Sequence, residues 1–364
     1  MYIQTFVLKI ASRCNLNCSY CYMYNKGDIT YLTQPKIMSL TTLTATVSRI
    51  QSHISTNNLS EVFIVLHGGE PMLAGKKYIR NLINLFRNQL DARINFSIQT
   101  NGTLIDSEWV ALFQELHVNL GISIDGPKQY HDNYRKYHNG KGSYDTIRRR
   151  LHNLNADSQV GYLFVVNTAI LPEELYKFIK DMKIRHLNIL LPDHHYADLP
   201  SSKTSKELGN WLISLYDLWR NDLNRPFVDF FENIIKSFFN LSEGTQILGS
   251  CENSVVCIET DGAIEVIDSL RTCKSGITKN NLNVSKNEIA EIFKLDLFKM
   301  YYLSHSTVAD KCKKCIYLQT CGGGFLPHRY SLKNEFDNPS IYCESLFGLI
   351  RHIENDIKIE IKIE

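Results

Sequence analysis

The first two hundred residues predict an α/β fold, a partial (β/α)6 barrel of the TIM-like kind. Short apolar runs alternate there with amphipathic stretches, and this alternation is typical of βα units on a parallel sheet. A loop with three cysteines follows the first apolar run, at the carboxyl end of a strand, where sites in such sheets lie. The predicted strands are Ile3–Ile10, Val62–Leu66, Ile94–Ile98, Asn119–Ser123, Gly161–Val166 and His186–Leu191. The predicted helices are Leu43–Gln51, Tyr78–Leu90, Ser107–Leu116, Ser143–Leu154 and Pro172–Met182.

The composition indicates an ordinary globular chain. It has 364 residues, of which 44% are hydrophobic, enough for a sizeable core and for more than one domain. Forty basic residues stand against 38 acidic ones without a basic block, so nucleic acid is not an expected partner. The N-terminus has no signal-peptide pattern, and no apolar run approaches the roughly 18 residues that span a membrane. We therefore expect a cytoplasmic protein without a membrane partner.

Cysteine is the unusual part of the composition. Ten cysteines fall into two groups, with none between residues 22 and 250. In a reducing compartment this usage indicates metal binding or catalysis rather than disulfides. The first group, Cys14, Cys18 and Cys21, has CxxxCxxC spacing on a polar, turn-rich loop. Three thiolates suit an iron–sulfur cube with one iron left open, whereas a closed zinc site wants a fourth ligand, which does not follow nearby. A zinc or structural cysteine cluster is the alternative.

The sequence predicts four consecutive parts. Residues 1–202 form the barrel, and residues 203–245 form a helical bridge with helices over Lys206–Leu223 and Phe227–Leu241. Residues 246–350 hold seven cysteines and are expected to fold as short strands and turns organised by metal. Residues 351–364 form a tail whose alternation at period two could make an edge strand.

The CxxxCxxC loop, with the aromatic Tyr20 before its third cysteine, resembles the radical S-adenosylmethionine (radical SAM) superfamily. The resemblance implies a radical SAM barrel and a [4Fe-4S] cluster on Cys14, Cys18 and Cys21. The amino and carboxylate groups of SAM would chelate the open iron. One electron, from an external donor of the flavodoxin or ferredoxin type, would cleave SAM to methionine and a 5′-deoxyadenosyl radical that abstracts a substrate hydrogen.

Motifs at the predicted strand ends match SAM-binding positions of that superfamily. Gly68-Gly69-Glu70 matches the GGE motif that holds the SAM amino group, and two glycines allow close backbone approach, although the triplet could be only a tight turn. The resemblance assigns Ser123 to the ribose and carboxylate side of SAM and Arg135 to its carboxylate. The alternative for Arg135 is a solvated charge at a helix end. Asn101 and Asn167 complete the implied pocket.

The seven C-terminal cysteines resemble the SPASM domain, an auxiliary-cluster module of radical SAM peptide and protein maturases. The resemblance implies two further [4Fe-4S] clusters. Cys251, Cys257 and Cys273 would hold the first of them. The ligands of the second would be Cys312, Cys315, Cys321 and Cys343. A zinc ribbon is the alternative.

Two departures from the SPASM pattern bear on function. The full pattern has an eighth cysteine where this chain has Phe325, which leaves the fourth ligand of the first auxiliary cluster open. Sulfatase-maturating members carry an aspartate base directly after the third SPASM cysteine, where this chain has Lys274, and this disfavours a sulfatase role. Asp268 is instead the candidate base or substrate contact, with a surface acid as the alternative. His194-His195 are either substrate-pocket residues or part of a polar loop.

The segment from Cys321 to Tyr330, with Asn338 to Cys343 after it, resembles the radical SAM maturases that form three-residue cyclophanes. The resemblance implies a C–C crosslink from an aromatic ring carbon to a nearby Cβ in a ribosomally synthesised precursor peptide. The alternatives are a thioether-forming or formylglycine-forming maturase, and a non-catalytic iron–sulfur or zinc protein. Little chain precedes Cys14, so we expect leader recognition to use this chain's own surface, such as residues 203–243, or a separate protein.

Overall fold

The computed structural model describes residues 1–152, 154, 160–198, 203–242 and 244–363. Four predicted features touch positions outside the described residues. These are the barrel boundary at residue 202, position 153 of the fifth predicted helix, position 243 of the bridge and position 364 of the tail. Among the described residues, no helix is long and apolar enough to cross a membrane.

Strands and helices alternate through the first two hundred residues, as the pattern predicts. The strands are β1 (Thr5–Ala11), β2 (Glu61–Gly68), β3 (Arg93–Thr100), β4 (Val118–Ser123), β5 (Val160–Val165), β6 (His186–Leu190), β7 (Phe227–Val228), β8 (Val255–Ile258) and β9 (Ile264–Glu265). The helices are α1 (Leu40–Asn57), α2 (Lys76–Gln89), α3 (Ser107–Glu115), α4 (Lys128–Tyr134), α5 (Tyr144–Leu151), α6 (Pro172–Asp181), α7 (Lys203–Arg220), α8 (Asp229–Phe238), α9 (Asp296–Tyr302), α10 (Asp310–Lys313), α11 (Leu318–Cys321) and α12 (Cys343–Ile363).

The chain folds into two compact units that interleave along the sequence. The first unit contains residues 1–124, 131–161 and 254–299, and the second contains residues 125–130, 162–253 and 300–364. The predicted domains are consecutive instead, and their limits stay predictions. The cysteine loop that follows β1 belongs to the first unit.

The first unit is built on a mostly parallel sheet. Its strands β1 to β4 pair in parallel with their neighbours, and β8 pairs in parallel with the other side of β1. The short β9 is antiparallel to β8. Inward side chains such as Phe6, Ile64 and Phe96 are at most 1% exposed, so burial of apolar strand faces stabilises this sheet. The predicted α/β fold with a mostly parallel sheet is confirmed.

The second unit joins three parallel strands to the long helices α7 and α12. Strand β6 pairs in parallel with β5 and with β7. Helix α7 buries Trp219 and Tyr216 completely, and the Tyr216 hydroxyl donates to Asp356 of α12 at 2.7 Å. Arg220 donates to the same carboxylate at 2.8 Å. The two bridge helices that the sequence predicts therefore exist as α7 and α8.

The tail is helical, so its interpretation as an edge strand is wrong. Helix α12 continues through the alternating segment to Ile363. Ile353 and Ile357 are buried at a spacing of four residues, and Lys358 pairs with Glu354 one turn earlier. The alternation at period two hides this helical stripe, because isoleucine stands at both the buried and the exposed positions.

The first unit contains a buried network of ion pairs next to β8 and β9. Arg271 is fully buried and donates to Glu259 at 2.7 Å and to Glu265 at 2.9 Å. Lys279 pairs with the other oxygen of Glu265 at 2.7 Å. The two carboxylates are 1% exposed or less, so the guanidinium compensates charge that water does not reach.

We expect Arg271→Met to destabilise the protein by about 3–5 kcal/mol, because two buried carboxylates would lose their shared cation. The measurement is urea unfolding followed by circular dichroism under anaerobic conditions. Arg80→Met is the control, since Arg80 pairs with Glu115 on the surface and exposed pairs contribute little. Equal midpoints for the two variants would show that the network does not stabilise the fold.

Candidate active site

Three cysteines lie on the loop that follows β1. Cys14, Cys18 and Cys21 are partly buried, and the Cys21 amide donates to the Cys18 carbonyl at 3.0 Å, which folds the loop into a turn. Burial raises the pKa of Cys14 to about 12, with nearby Glu70 adding to the shift, and burial raises the pKa of Cys21 to about 11. These thiols stay protonated until a cation neutralises them, as expected of metal ligands.

The glycines of the GGE motif contact this loop through their backbone. The Gly69 amide donates to the Ala11 carbonyl at 2.8 Å, and the Glu70 amide donates to the Arg13 carbonyl at 3.0 Å. Gly68 has a φ of +140°, and a Cβ there would lie 2.0 Å from the Ala11 oxygen. A Cβ on Gly69 would lie 2.0 Å from the Tyr24 hydroxyl. The glycines therefore allow β2 to end directly against the cysteine loop.

Glu70 joins the ends of β2 and β3. It is fully buried, and its Oε1 accepts hydrogen bonds from the Met72 amide at 3.1 Å and the Thr100 hydroxyl at 2.8 Å. Its Oε2 accepts from the Asn101 amide at 2.8 Å. Burial raises the pKa of Glu70 to about 7, although these hydrogen bonds oppose the shift. The motif is thus more than a tight turn.

The remaining predicted SAM contacts fall in both units. Asn101 lies in the first unit with its amide 3.7 Å from the Cys14 sulfur. Ser123 accepts from Gln99 at 2.9 Å. Arg135 is 8% exposed, with its guanidinium over the ring of Tyr20 at 5.4 Å, so it is not the solvated helix-end charge of the alternative. Asn167 belongs to the second unit, where its side chain accepts from the Ala169 amide at 3.1 Å.

Asp268 is buried in the first unit and contacts two residues that the sequence analysis did not single out. Its Oδ2 accepts from the ammonium of Lys9, and from the Tyr22 hydroxyl at 2.9 Å. Lys9 in turn lies 2.8 Å from His67 Nδ1. At 5% exposure, Asp268 is not a surface acid. The one signal in the sequence that could have found this cluster is a lysine in the middle of the apolar strand β1.

Four cysteines of the second unit surround one cavity. Cys312, Cys315, Cys321 and Cys343 line a cavity of about 230 Å³, together with residues such as Tyr317. Burial, with Cys343 nearby, raises the pKa of Cys321 to about 12. These are the four predicted ligands of the second auxiliary cluster.

The cysteines predicted for the first auxiliary cluster are divided between the units. Cys257 and Cys273 are buried in the first unit, and Cys251 belongs to the second, with its sulfur close to Gly244. Phe325, at the position that the SPASM resemblance gives to an eighth cysteine, is 9% exposed and meets the ring of His328 edge-on at 5.2 Å. The first auxiliary cluster stays a prediction.

The three glycines after Cys321 wrap a buried arginine. Gly322, Gly323 and Gly324 all have φ between +60° and +77°. Arg329 is 1% exposed and donates to the carbonyls of all three, at 2.7, 3.1 and 2.7 Å respectively. The triple glycine is therefore a specific arginine-binding loop rather than an ordinary turn.

His194 and His195 lie in a polar loop closed by Asp198. The carboxylate of Asp198 accepts from the His195 amide at 2.7 Å and lies 3.3 Å from His194 Nδ1. These contacts fit the polar-loop interpretation, and a role toward substrate stays a prediction.

The cavity between the four cysteines of the second unit bears on the choice between a cluster and a single ion. Within the described ranges, no three Cys, His, Asp or Glu side chains are grouped to hold one metal ion. A zinc ion needs its sulfur ligands within about 2.3 Å of a single point, whereas the ligands of an iron–sulfur cube bind separate irons. The open cavity between the four cysteines of the second unit agrees with the larger group.

We expect Gly69→Ala to lower the iron bound per chain, because its Cβ would displace Tyr24 and the Arg13 backbone and so distort the cysteine loop. Iron content and the visible absorption of anaerobically reconstituted protein measure this. Gly161→Ala is the matched control, since nothing lies within 4 Å of a Cβ there. Equal iron content in the two variants would contradict the role of Gly69.

Comparison with known proteins agrees with this geometry. The profile of the radical SAM superfamily matches residues 8–183. A cysteine-type anaerobic sulfatase-maturating enzyme from Clostridium novyi is 30% identical over 351 residues, which are 92% of this chain and 91% of that protein.

Two solved structures share the fold. The structure of native anSMEcpe with bound AdoMet has a TM-score of 0.84 at 23% identity and covers 99% of this chain and 100% of that one. The structure of Streptococcus suis SuiB bound to precursor peptide SuiA has a TM-score of 0.58 at 15% identity. The match covers 94% of this chain and 76% of the SuiB chain. The identity to the Clostridium novyi protein extends over nearly the whole chain. The chain therefore belongs to the radical SAM superfamily, as a relative of the anaerobic sulfatase-maturating enzymes that uses SAM and a [4Fe-4S] cluster to modify a peptide or protein.

Proposed function

We propose that this enzyme installs a C–C crosslink between an aromatic ring carbon and a nearby Cβ of a ribosomally synthesised precursor peptide. The observation that carries the proposal is the segment after Cys321. There the residues from Cys321 to Tyr330, with Phe325 at the position that the SPASM resemblance gives to an eighth cysteine, resemble the cyclophane-forming maturases. The three glycines of this segment bind Arg329 through their carbonyls. Likeness to a fold that holds a precursor peptide in SuiB supports a peptide substrate.

The cofactor sites follow from the residues around the cysteine loop. Cys14, Cys18 and Cys21 would hold the [4Fe-4S] cluster. The first unit would contact SAM through Gly68, Gly69, Glu70, Asn101, Ser123 and Arg135. Asn167, which belongs to the second unit, stays a predicted contact. When bound, SAM and the clusters would supply two things: a 5′-deoxyadenosyl radical that can remove a hydrogen atom from the peptide Cβ, and an iron–sulfur group that can accept one electron.

The chain's own residues then handle orientation and the proton. Crosslinking removes two hydrogens, one as an atom and the other as a proton plus an electron. Asp268 is the proposed proton acceptor because it is a buried carboxylate beside Tyr22, the residue next to Cys21. The cavity lined by Cys312, Cys315, Cys321 and Cys343 would hold the second auxiliary cluster, a candidate for the electron acceptor.

Formylglycine formation is the second candidate, because the Clostridium novyi relative is a cysteine-type anaerobic sulfatase-maturating enzyme. Lys274, at the position that the SPASM resemblance gives to the base of those enzymes, is exposed. Asp268 offers an acid six residues earlier in the chain, so Lys274 alone does not separate the two reactions. The thioether alternative differs only in the atoms joined.

The test is anaerobic incubation of the reconstituted enzyme with SAM, reductant and the precursor peptide encoded in the neighbouring reading frame. We expect 5′-deoxyadenosine and a peptide lighter by two hydrogen atoms per crosslink, with NMR showing a bond from a ring carbon to Cβ. A sulfatase-derived peptide with cysteine or serine is the comparison. An unchanged precursor, or an aldehyde that reacts with hydrazide, would count against crosslinking, and absence of 5′-deoxyadenosine would count against both reactions.

We expect SAM affinity to fall as the pH drops below about 7, by up to about tenfold per pH unit, because a protonated Glu70 no longer attracts the SAM ammonium. A carboxyl group with a raised pKa is ionised only above that value, so binding is strongest there. Calorimetry between about pH 5.5 and 7 keeps most of the amino group of SAM protonated. Glu70→Gln should make SAM affinity independent of pH in this range, whereas the control Glu108→Gln, at an exposed position, should leave the pH dependence unchanged. If SAM affinity did not vary with pH in the wild-type enzyme, the assignment of Glu70 to the SAM amino group would be contradicted.

A further inference from the structure

A cluster of four polar side chains lies between the cysteine loop, the GGE motif and the segment before Cys273. We call Lys9, Tyr22, His67 and Asp268 the Lys9 cluster. Lys9 is fully buried on β1, and its register partner on β2 is His67. Tyr22 directly follows Cys21, and His67 directly precedes Gly68. The Lys9 cluster is therefore attached to both motifs that define the predicted SAM site.

Hydrogen bonding within the Lys9 cluster has a fixed direction. An ammonium has three donors and no acceptor, so Lys9 donates to His67 Nδ1 at 2.8 Å. Burial and the neighbouring Lys9 lower the pKa of His67 well below its usual value, and the neutral ring carries its proton on Nε2. A second N–H of Lys9 donates to Asp268. His67 thus orients the ammonium toward the carboxylate.

Both donors to Asp268 meet the same oxygen. The Lys9 ammonium and the Tyr22 hydroxyl donate to Oδ2, and no contact of the described residues engages Oδ1. The carboxylate keeps one orientation, because two donors fix one of its oxygens. Oδ1 is left to accept a proton.

We propose that Lys9 is a positioning residue, which together with Tyr22 anchors Oδ2 of Asp268 so that Oδ1 takes the proton released during crosslinking. The proposal rests on the proposed function. In the step, the C–H bond at the attacked ring carbon breaks and its proton passes to Oδ1. The ring keeps the bonding pair and becomes aromatic again. An oxidised iron–sulfur cluster, when bound, would accept the one surplus electron, and with that acceptor charge and electrons balance.

The test measures crosslinked peptide per 5′-deoxyadenosine in the reconstituted full-length enzyme, with iron content and peptide KM beside it. We expect Tyr22→Phe to lower this ratio about ten- to a hundredfold, the usual effect of losing one hydrogen bond to a charged group. Lys9→Met should lower it further, and Lys9→Arg should restore part of it. In each case iron content and KM stay near the wild-type values, because Lys9 acts on proton transfer rather than on cofactor or peptide binding.

Asp268→Asn is the reference variant, and Lys77→Met on the exposed face of α2 is the matched control. Asp268→Asn should form 5′-deoxyadenosine with almost no crosslink, and adding Tyr22→Phe to it should change nothing further, since both act through one carboxylate. If Lys9→Met fails to fold, Tyr22→Phe and its double variant still decide.

If Tyr22→Phe gave the wild-type ratio of crosslinked peptide to 5′-deoxyadenosine, the proposal would be overturned. It would also be overturned if iron content, crosslinked peptide and 5′-deoxyadenosine all fell while that ratio stayed constant, because this is the pattern expected when Lys9 and Tyr22 only stabilise the fold. An unchanged enzyme that yields formylglycine instead would overturn only the proposed crosslink. In that case the ratio of formylglycine peptide to 5′-deoxyadenosine, measured in the same variants, would test whether Lys9 positions Asp268.

Discussion

The backbone contact between the end of β2 and the cysteine loop is the constraint on which the site depends. The amides of Gly69 and Glu70 bond directly to carbonyls of residues 11 and 13, at 2.8 and 3.0 Å. No side chain larger than hydrogen fits at Gly68 or Gly69 without moving that backbone. From this contact, Glu70 extends the connection to β3 through Asn101, which lies against Cys14. One close approach therefore fixes three loops around the predicted cluster.

Much of the fold could be predicted because each of the first six strands carries a short apolar run between amphipathic helices. The motif positions followed as well, since they sit at strand ends. The C-terminal helix was hidden by isoleucines at both buried and exposed positions. Lys9 was missed for a related reason: hydrophobic patterning finds apolar groups, whereas the partners of a buried lysine, His67 and Asp268, come from distant parts of the chain. The interleaving of residues 254–299 with the N-terminal strands is a tertiary pairing that local sequence does not encode.

Identity to the Clostridium novyi enzyme extends over 92% of this chain. The resemblance to the SPASM pattern nevertheless places Phe325 and Lys274 at the positions of a cluster cysteine and of the base of the sulfatase-maturating members. Phe325 is packed against His328, and Lys274 is exposed, so both replacements are compatible with a well-formed fold. Arg329 organises the intervening segment by binding three glycine carbonyls. Within a common scaffold, differences of this kind are where a new substrate or product would arise.

The pairing of β1 with β8 has a consequence for biosynthesis. Thr5 to Leu8 align with Val255 to Ile258, so one edge of the first strand waits for a partner about 250 residues away. At a translation rate of about 5–20 residues per second, that edge stays open for roughly 10–50 s on the ribosome. Throughout this interval the ammonium of Lys9 also lacks the carboxylate that later neutralises it. A charge inside an otherwise apolar strand disfavours edge-to-edge pairing with other chains, and Lys9 places such a charge on β1 until its sheet is complete.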